Sequence, residues 1–185
     1  MKGRILFIFL FTLILGTSRT DAQTFGAKDA FAFRGLLMDF SQPVTGKFAP
    51  FDSLKGGVEM SYIHNLTQGL NLAIPLRFGI TGSSDNRADG NSRGFWGGDA
   101  LLQLDGSFKH WIVTPHLFTG IGTMYTTDDG KLNVQMPIGA GLNIKLVEGF
   151  YLTVQTEYRI GITSKSASVW HHSLGVSRTI RCAWL

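Results

Sequence analysis

The sequence predicts an all-β fold, an eight-stranded antiparallel up-and-down transmembrane β-barrel. Three observations predict it. Apolar and polar side chains alternate with period two along segments about ten residues long. Eight such segments follow one another. Their connections alternate between short and long, as the two ends of a membrane barrel require.

Three segments carry the alternation most clearly. In the first, Leu70, Leu72, Ile74, Leu76, Phe78 and Ile80 share one face, opposite Asn71, Ala73, Pro75, Arg77, Gly79 and Thr81. In the second, Val134, Met136, Ile138, Ala140, Leu142, Ile144 and Leu146 oppose Asn133, Gln135, Gly139, Asn143 and Lys145. In the third, Phe150, Leu152, Val154, Thr156, Tyr158 and Ile160 oppose Tyr151, Thr153, Gln155, Glu157 and Arg159. Successive side chains of a strand point to opposite faces, so each segment has one apolar and one polar wall. Weaker copies at residues 31–40, 55–65, 95–105, 110–125 and 170–180 complete the set of eight. A tilted strand of this length crosses a bilayer.

Short connections are expected at residues 66–69, 106–109 and 147–149, and longer, more polar ones at 41–54, 82–94, 126–132 and 163–169. Both chain termini then lie at the short-turn end.

The first 22 residues read as a secretory signal peptide, with the barrel domain over residues 23–185. Lys2 and Arg4 form the positive region, residues 5–15 the apolar run, and Thr20-Asp21-Ala22 the small-residue cleavage pattern. Eleven apolar residues are too few for a spanning helix. Without the signal, basic residues fall from 17 to 14 and acidic ones from 13 to 12, leaving +2. No Lys/Arg run is present, which argues against a nucleic-acid partner. The lone Cys182 offers no intrachain disulfide framework.

The polar walls carry both signs. Arg34, Glu59, Arg77, Asp99, Lys145, Glu157 and Arg159 are expected to form a charge network inside the barrel, beside Gln103, Asn143 and Gln155. Charges in a confined space are costly unless paired. An eight-stranded barrel has an interior that side chains can fill, so the expectation is a plugged lumen. The apolar walls carry Phe78, Trp96, Trp111, Tyr125, Phe150 and Tyr158 near strand ends, as an aromatic girdle would. Pro75, Pro115 and Pro137 fall inside predicted strands, where they cannot donate to the ladder; bulges are the expected accommodation.

Several segments, taken in order, resemble the amino-terminal barrel of OmpA-type envelope proteins. They are Phe33-Arg34-Gly35-Leu36-Leu37-Met38-Asp39-Phe40, Leu54-Lys55-Gly56-Gly57-Val58-Glu59 and Leu70-Asn71-Leu72-Ala73-Ile74-Pro75-Leu76-Arg77-Phe78-Gly79, followed by Asp99-Ala100-Leu101-Leu102-Gln103-Leu104, Leu117-Phe118-Thr119-Gly120-Ile121-Gly122 and Gln155-Thr156-Glu157-Tyr158-Arg159. The resemblance implies a structural or adhesive barrel in the outer membrane of a Gram-negative-type bacterium. It implies outer-membrane lipid as the surroundings and the barrel-assembly machinery as the partner during insertion. Larger members add a carboxy-terminal domain that grips peptidoglycan; the barrel alone is expected here.

Other chemistries find little support. Asp85-Asn86-Arg87-Ala88-Asp89-Gly90 loosely matches a calcium loop, but Arg87 stands at the third ligand position and Trp96 at that of the bidentate glutamate. The five histidines show no zinc spacing, and His171 and His172 are adjacent, so a strand sends them to opposite faces. No cofactor or metal is expected. Ser164, Ser166, Ser168, His171 and Asp128 are the residues from which a hydrolase site could be assembled, yet no nucleophile motif surrounds any of these serines. The competing reading is a secreted, soluble, lipocalin-like barrel binding a small apolar ligand. In that case the apolar wall lines a cavity and the charges face water.

Overall fold

The computed structural model describes residues 29–39, 54–67, 69–82, 93–106, 112–127, 130–163 and 168–180. The predicted signal peptide, Trp111 and the 85–90 motif lie outside the described residues. Eight strands follow in order: β1 (Asp29–Asp39), β2 (Leu54–Thr67), β3 (Leu70–Gly82), β4 (Arg93–Asp105), β5 (Val113–Thr126), β6 (Lys131–Val147), β7 (Phe150–Gly161) and β8 (Val169–Ile180). Each pairs antiparallel with the next, and β8 pairs with β1 to close the barrel. Closure leaves no free sheet edge, which is what a strand-built wall in lipid requires.

The start of β1 and the end of β8 lie at the same end as the β2–β3, β4–β5 and β6–β7 connections. We call this the turn end and the opposite one the loop end. Gly69, Gly130 and Gly149 adopt φ of 82°, 59° and 79°, so three tight connections rest on a conformation that favours glycine. The expected alternation of connection lengths is only partly realised. At the turn end, residues 107–111 between β4 and β5 lie outside the described residues, and with them most of the predicted 106–109 connection. At the loop end, β5 and β6 are joined by only 127–130. Pairing of β4 with β5 stops at Asp105 opposite His116, and the Gly106 N–H then donates to the Pro115 carbonyl at 2.7 Å.

The in-strand prolines are not accommodated by bulges, contrary to expectation. Register shifts occur near strand ends, at Asn65/Thr67, Ile80/Gly82 and Lys145/Val147. At Pro75 and Pro137 the register runs on unchanged and rungs are simply missing. The β3–β4 ladder passes from Ala73↔Leu101 to Leu76↔Gly98, and β5–β6 from Thr119↔Ile138 to Gly122↔Gln135. A missing N–H removes a rung without displacing the strand. Both gaps lie at one height, on either side of the β4–β5 pair, where Ala100 faces Ile121.

Candidate functional site

Parity along each strand sends Arg34, Glu59, Arg77, Asp99, Glu157, Arg159 and His171 into the lumen, all of them buried. The register makes Arg34 the cross-strand neighbour of Glu59, and Glu59 that of Arg77. Arg34 Nε lies 2.7 Å from Glu59 Oε1. Arg77 is the hub. Its Nε donates to Glu59 Oε2 at 2.6 Å, its Nη2 to Glu157 Oε2 at 3.2 Å, and its Nη1 to Asp99. Arg159 donates from Nη2 to Asp99 Oδ1 at 2.7 Å and from Nη1 to Glu157 Oε1 at 2.9 Å. Its Nε donates to Gln135 Oε1 at 2.7 Å. His171 Nδ1 lies 3.2 Å from Glu157 Oε1. Three guanidinium groups thus meet three carboxylates, and the formal charges of these six groups cancel. Each desolvated ion keeps at least one opposite charge nearby, which offsets the cost of burial, although Arg34 Nε and Nη1 and Glu59 Oε1 make no hydrogen bond.

Space for these groups comes from lumen-facing glycines. A Cβ at Gly122 would fall onto the Asp99 carboxylate and 2.9 Å from Arg159 Nη2. One at Gly141 would come within 2.6 Å of His116 Cε1 and 2.7 Å of Gln155 Cγ. His116 Nε2 lies 2.9 Å from Gln155 Nε2 across that gap.

Lys145 is not brought into the network. Its parity aims it inward, but it sits two residues from the end of β6 and is exposed at the turn end. His171 and Gln135 belong to the cluster and were absent from the predicted set. Their signal was the shared inward parity: His171 with Ser173 and Ser177, and Gln135 with Asn143. The adjacent histidines do diverge as the strand geometry demands, His171 inward and His172 outward.

The inner wall is also less uniformly polar than the alternation suggested. Toward the loop end Leu36, Met38, Phe95 and Met124 form an apolar cluster. Toward the turn end a second one includes Ala32, Ile63, Leu101, Phe118 and Tyr151. The charged cluster lies between these two layers. At the turn end polar groups return: Asp105 accepts from Asn71 Nδ2 at 2.9 Å and from Gln103 Nε2 at 2.7 Å.

Among the described residues no group of acidic, histidine or cysteine side chains could hold a metal ion. The hydrolase residues do not assemble there either. His171 is in the lumen against Glu157, and Ser168 Oγ accepts from the Gly161 N–H at 3.5 Å. Ser164, Ser166 and Asp128 lie outside the described residues.

The outer wall is apolar from rim to rim. Phe33, Met60, Leu76, Leu102, Ile121, Ile138, Val154 and Leu174 all point outward and are exposed. Leu76, halfway along β3, is 52% exposed. Between the first and last residues of the described strands, the ionisable side chains facing outward, tyrosines apart, are His64, His172 and Arg178. This is the reverse of the lipocalin-like alternative, which needs the apolar wall inside.

Aromatic residues gather on the outer wall at both ends. Near the loop end Phe78, Trp96 and Tyr125 are successive cross-strand neighbours, with the Trp96 and Tyr125 rings 5.6 Å apart. Tyr158 sits there beside Trp170, which the sequence reading missed, at 5.0 Å. Near the turn end Phe31 and Tyr62 lie 5.2 Å apart, and Arg178 stands 5.0 Å over the Phe150 ring.

No protein-family model matches the sequence, and no curated protein matches it. Solved structures do match in fold. Neisserial surface protein A is 11% identical with a TM-score of 0.60, the match covering 82% of this chain and 97% of that one. Ail from Yersinia pestis, in complex with the heparin analogue sucrose octasulfate, is 12% identical with a TM-score of 0.53, covering 83% and 97%. The amino-terminal β-barrel domain of Pseudomonas aeruginosa OprF is 14% identical with a TM-score of 0.51, covering 82% and 97%. With its closed antiparallel meander, apolar outside and ion-paired inside, the chain has the fold of the small eight-stranded outer-membrane barrels, consistent with its resemblance to OmpA-type barrel domains.

Proposed function

We propose that this chain is a structural or adhesive barrel of a Gram-negative outer membrane, non-catalytic, with a lumen closed by its own side chains. The observation that carries the reading is the inversion of its walls. Hydrocarbon can solvate the outer one, and a sealed, mutually neutralised interior accommodates the inner one. In this reading the signal over residues 1–22 directs export, the barrel-assembly machinery inserts the strands, and the turn end faces the periplasm. The aromatic clusters lie at the two lipid–water boundaries. The apolar layers above and below the charged cluster support a plugged lumen. The neighbours in fold support a role at the cell surface, and Ail's sucrose octasulfate complex makes a sulfated sugar the first candidate surface ligand to test.

Expression with the signal, fractionation and gel mobility test the membrane assignment. Recovery in outer membranes with a band that shifts on boiling is expected. Recovery as a soluble periplasmic protein would overturn it.

Leu76→Arg gives a sharper physical test. An arginine on the lipid face near mid-wall costs about 2–4 kcal/mol in a bilayer. On a water-facing wall the cost would be close to nil. Urea unfolding in lipid vesicles should therefore show the loss, and equal stability of the two proteins would contradict a lipid-facing wall.

The plugged lumen predicts no steady current in planar bilayers at moderate voltage. A stable open level seen with every insertion would refute it.

A further inference from the structure

We propose that the outer wall carries a lipid-binding groove, which seats one fatty-acyl chain of the surrounding bilayer and hydrogen-bonds its ester carbonyl through His172. The inference rests on the reading that this wall faces lipid.

The groove has a volume of about 800 Å³ and crosses β1, β8, β7 and β6. Its floor is one cross-strand row, in which Leu37 neighbours His172, His172 neighbours Thr156 and Thr156 neighbours Ala140. Two taller ridges flank the row. On the turn side Leu174 and Val154 line the groove, and on the loop side the next row beyond it is Trp170 and Tyr158. Ridge to ridge is four residues, about 13 Å along a strand. Small side chains at Thr156 and Ala140 keep the trough open for an extended hydrocarbon chain.

The groove is almost wholly apolar, with one polar feature. His172 Nδ1 lies 2.9 Å from Thr156 Oγ1, and the imidazole stacks parallel to Trp170 at 6.3 Å and 4°. Both contacts fix the ring. Taking the Thr156 hydroxyl as the donor to Nδ1 leaves an Nε2–H free to donate. No described residue pairs with that nitrogen. An ionisable group facing hydrocarbon with an unmet hydrogen bond is costly, and such groups mark functional positions.

The other outward histidine and the outward arginine are already engaged. His64 pairs with Asp29 at 2.9 Å and Arg178 covers Phe150. His172 is set apart from them by depth as well. It lies two residues inside the Trp170–Tyr158 pair, the level at which acyl esters sit below an aromatic boundary. The groove is continuous with the lipid-facing wall and carries no charge that would select a protein segment. A neutral acceptor on a flexible apolar chain fits both its shape and its single donor.

The test is lipid retention. Wild type, His172→Leu and Ala140→Phe are folded into vesicles of dioleoyl phosphatidylethanolamine, extracted in mild detergent and weighed by native mass spectrometry. Wild type should retain one lipid, and both variants should lose at least tenfold of that occupancy while keeping the heat-shifted band. The dialkyl ether analogue, which lacks the ester carbonyl, should be retained no better than ester lipid by His172→Leu. Equal retention by all three proteins, or of ester and ether lipid by wild type, would overturn the proposal. So would a dimer lost in both variants, which would assign the groove to a second copy of the chain. Failure of wild type to enter vesicles at all would instead strike the membrane reading itself, a result separable from normal insertion without retained lipid.

Discussion

Arg77→Met should cost about 3–5 kcal/mol of folding stability, the range seen when one partner of a buried ion pair is removed. Arg77 is 3% exposed and bridges Glu59, Asp99 and Glu157. Methionine fills much the same volume but leaves three carboxylates facing two guanidinium groups. The loss comes mainly from that unpaired buried charge, not from an intrinsic strength of the bridges. Arg77→Lys should fall between, because a single ammonium cannot present three separated donors to three carboxylates. Urea unfolding in detergent or lipid, followed by gel shift or tryptophan emission, measures both. A cost below about 1 kcal/mol for Arg77→Met, the scale of an exposed pair, would mean that water reaches the cluster freely.

Gly175→Leu should prevent closure of the barrel. Gly175 lies in β8 opposite Arg34 of β1, on the seam between the last strand and the first. A Cβ there would strike the Phe33 carbonyl oxygen and come within 2.5 Å of the Arg34 Cα. These are main-chain atoms of a paired strand, which cannot rotate away as a side chain does. The expected penalty lies beyond the roughly 1–3 kcal/mol of ordinary overpacking, and the heat-shifted band should vanish. Gly35→Ala is the control on the same seam. Its Cβ would meet only the Leu174 carbonyl oxygen at 3.8 Å, an ordinary contact, and its stability should stay within about 0.5 kcal/mol of wild type. Normal folding of Gly175→Leu would show that the seam can open by more than its close packing allows.

Much of this architecture is legible in the sequence. The third clear segment begins with β7 at Phe150, and its last alternating residue, Ile160, is one short of the end of β7 at Gly161, because alternation and turn residues mark both boundaries there. Parity separated Asn71 and Arg77 from Leu72 and Phe78, and the structure keeps that separation. Parity is silent about height along the barrel axis. For that reason Lys145, near a strand end, was grouped with Arg159, which lies deep inside. It is silent too about neutral partners, so Gln135, though placed on the polar wall, and His171 are not assigned to the network from sequence. The inner apolar layers were hidden because Leu36, Phe95 and Phe118 occupy positions that an alternation argument assigns to polar residues. Which arginine meets which carboxylate depends on cross-strand register, and no single segment contains that information.

The missing rungs at Pro75 and Pro137 give the charged cluster a second meaning. The inward position facing Pro75 in the unbroken register is Asp99, and Asp99 is the carboxylate that Arg77 of β3 and Arg159 of β7 both grasp. Across the other gap, the Thr119 hydroxyl donates to the Pro137 carbonyl at 3.1 Å. Side chains have taken over the stitching where the main chain dropped two stitches. The β4–β5 panel, loosened at the same height along both its margins, is held at that height by rivets driven from the inside. In this wall the electrostatic interior and the hydrogen-bonded shell are one fabric, and a lumen mutation at Asp99 acts on the wall itself.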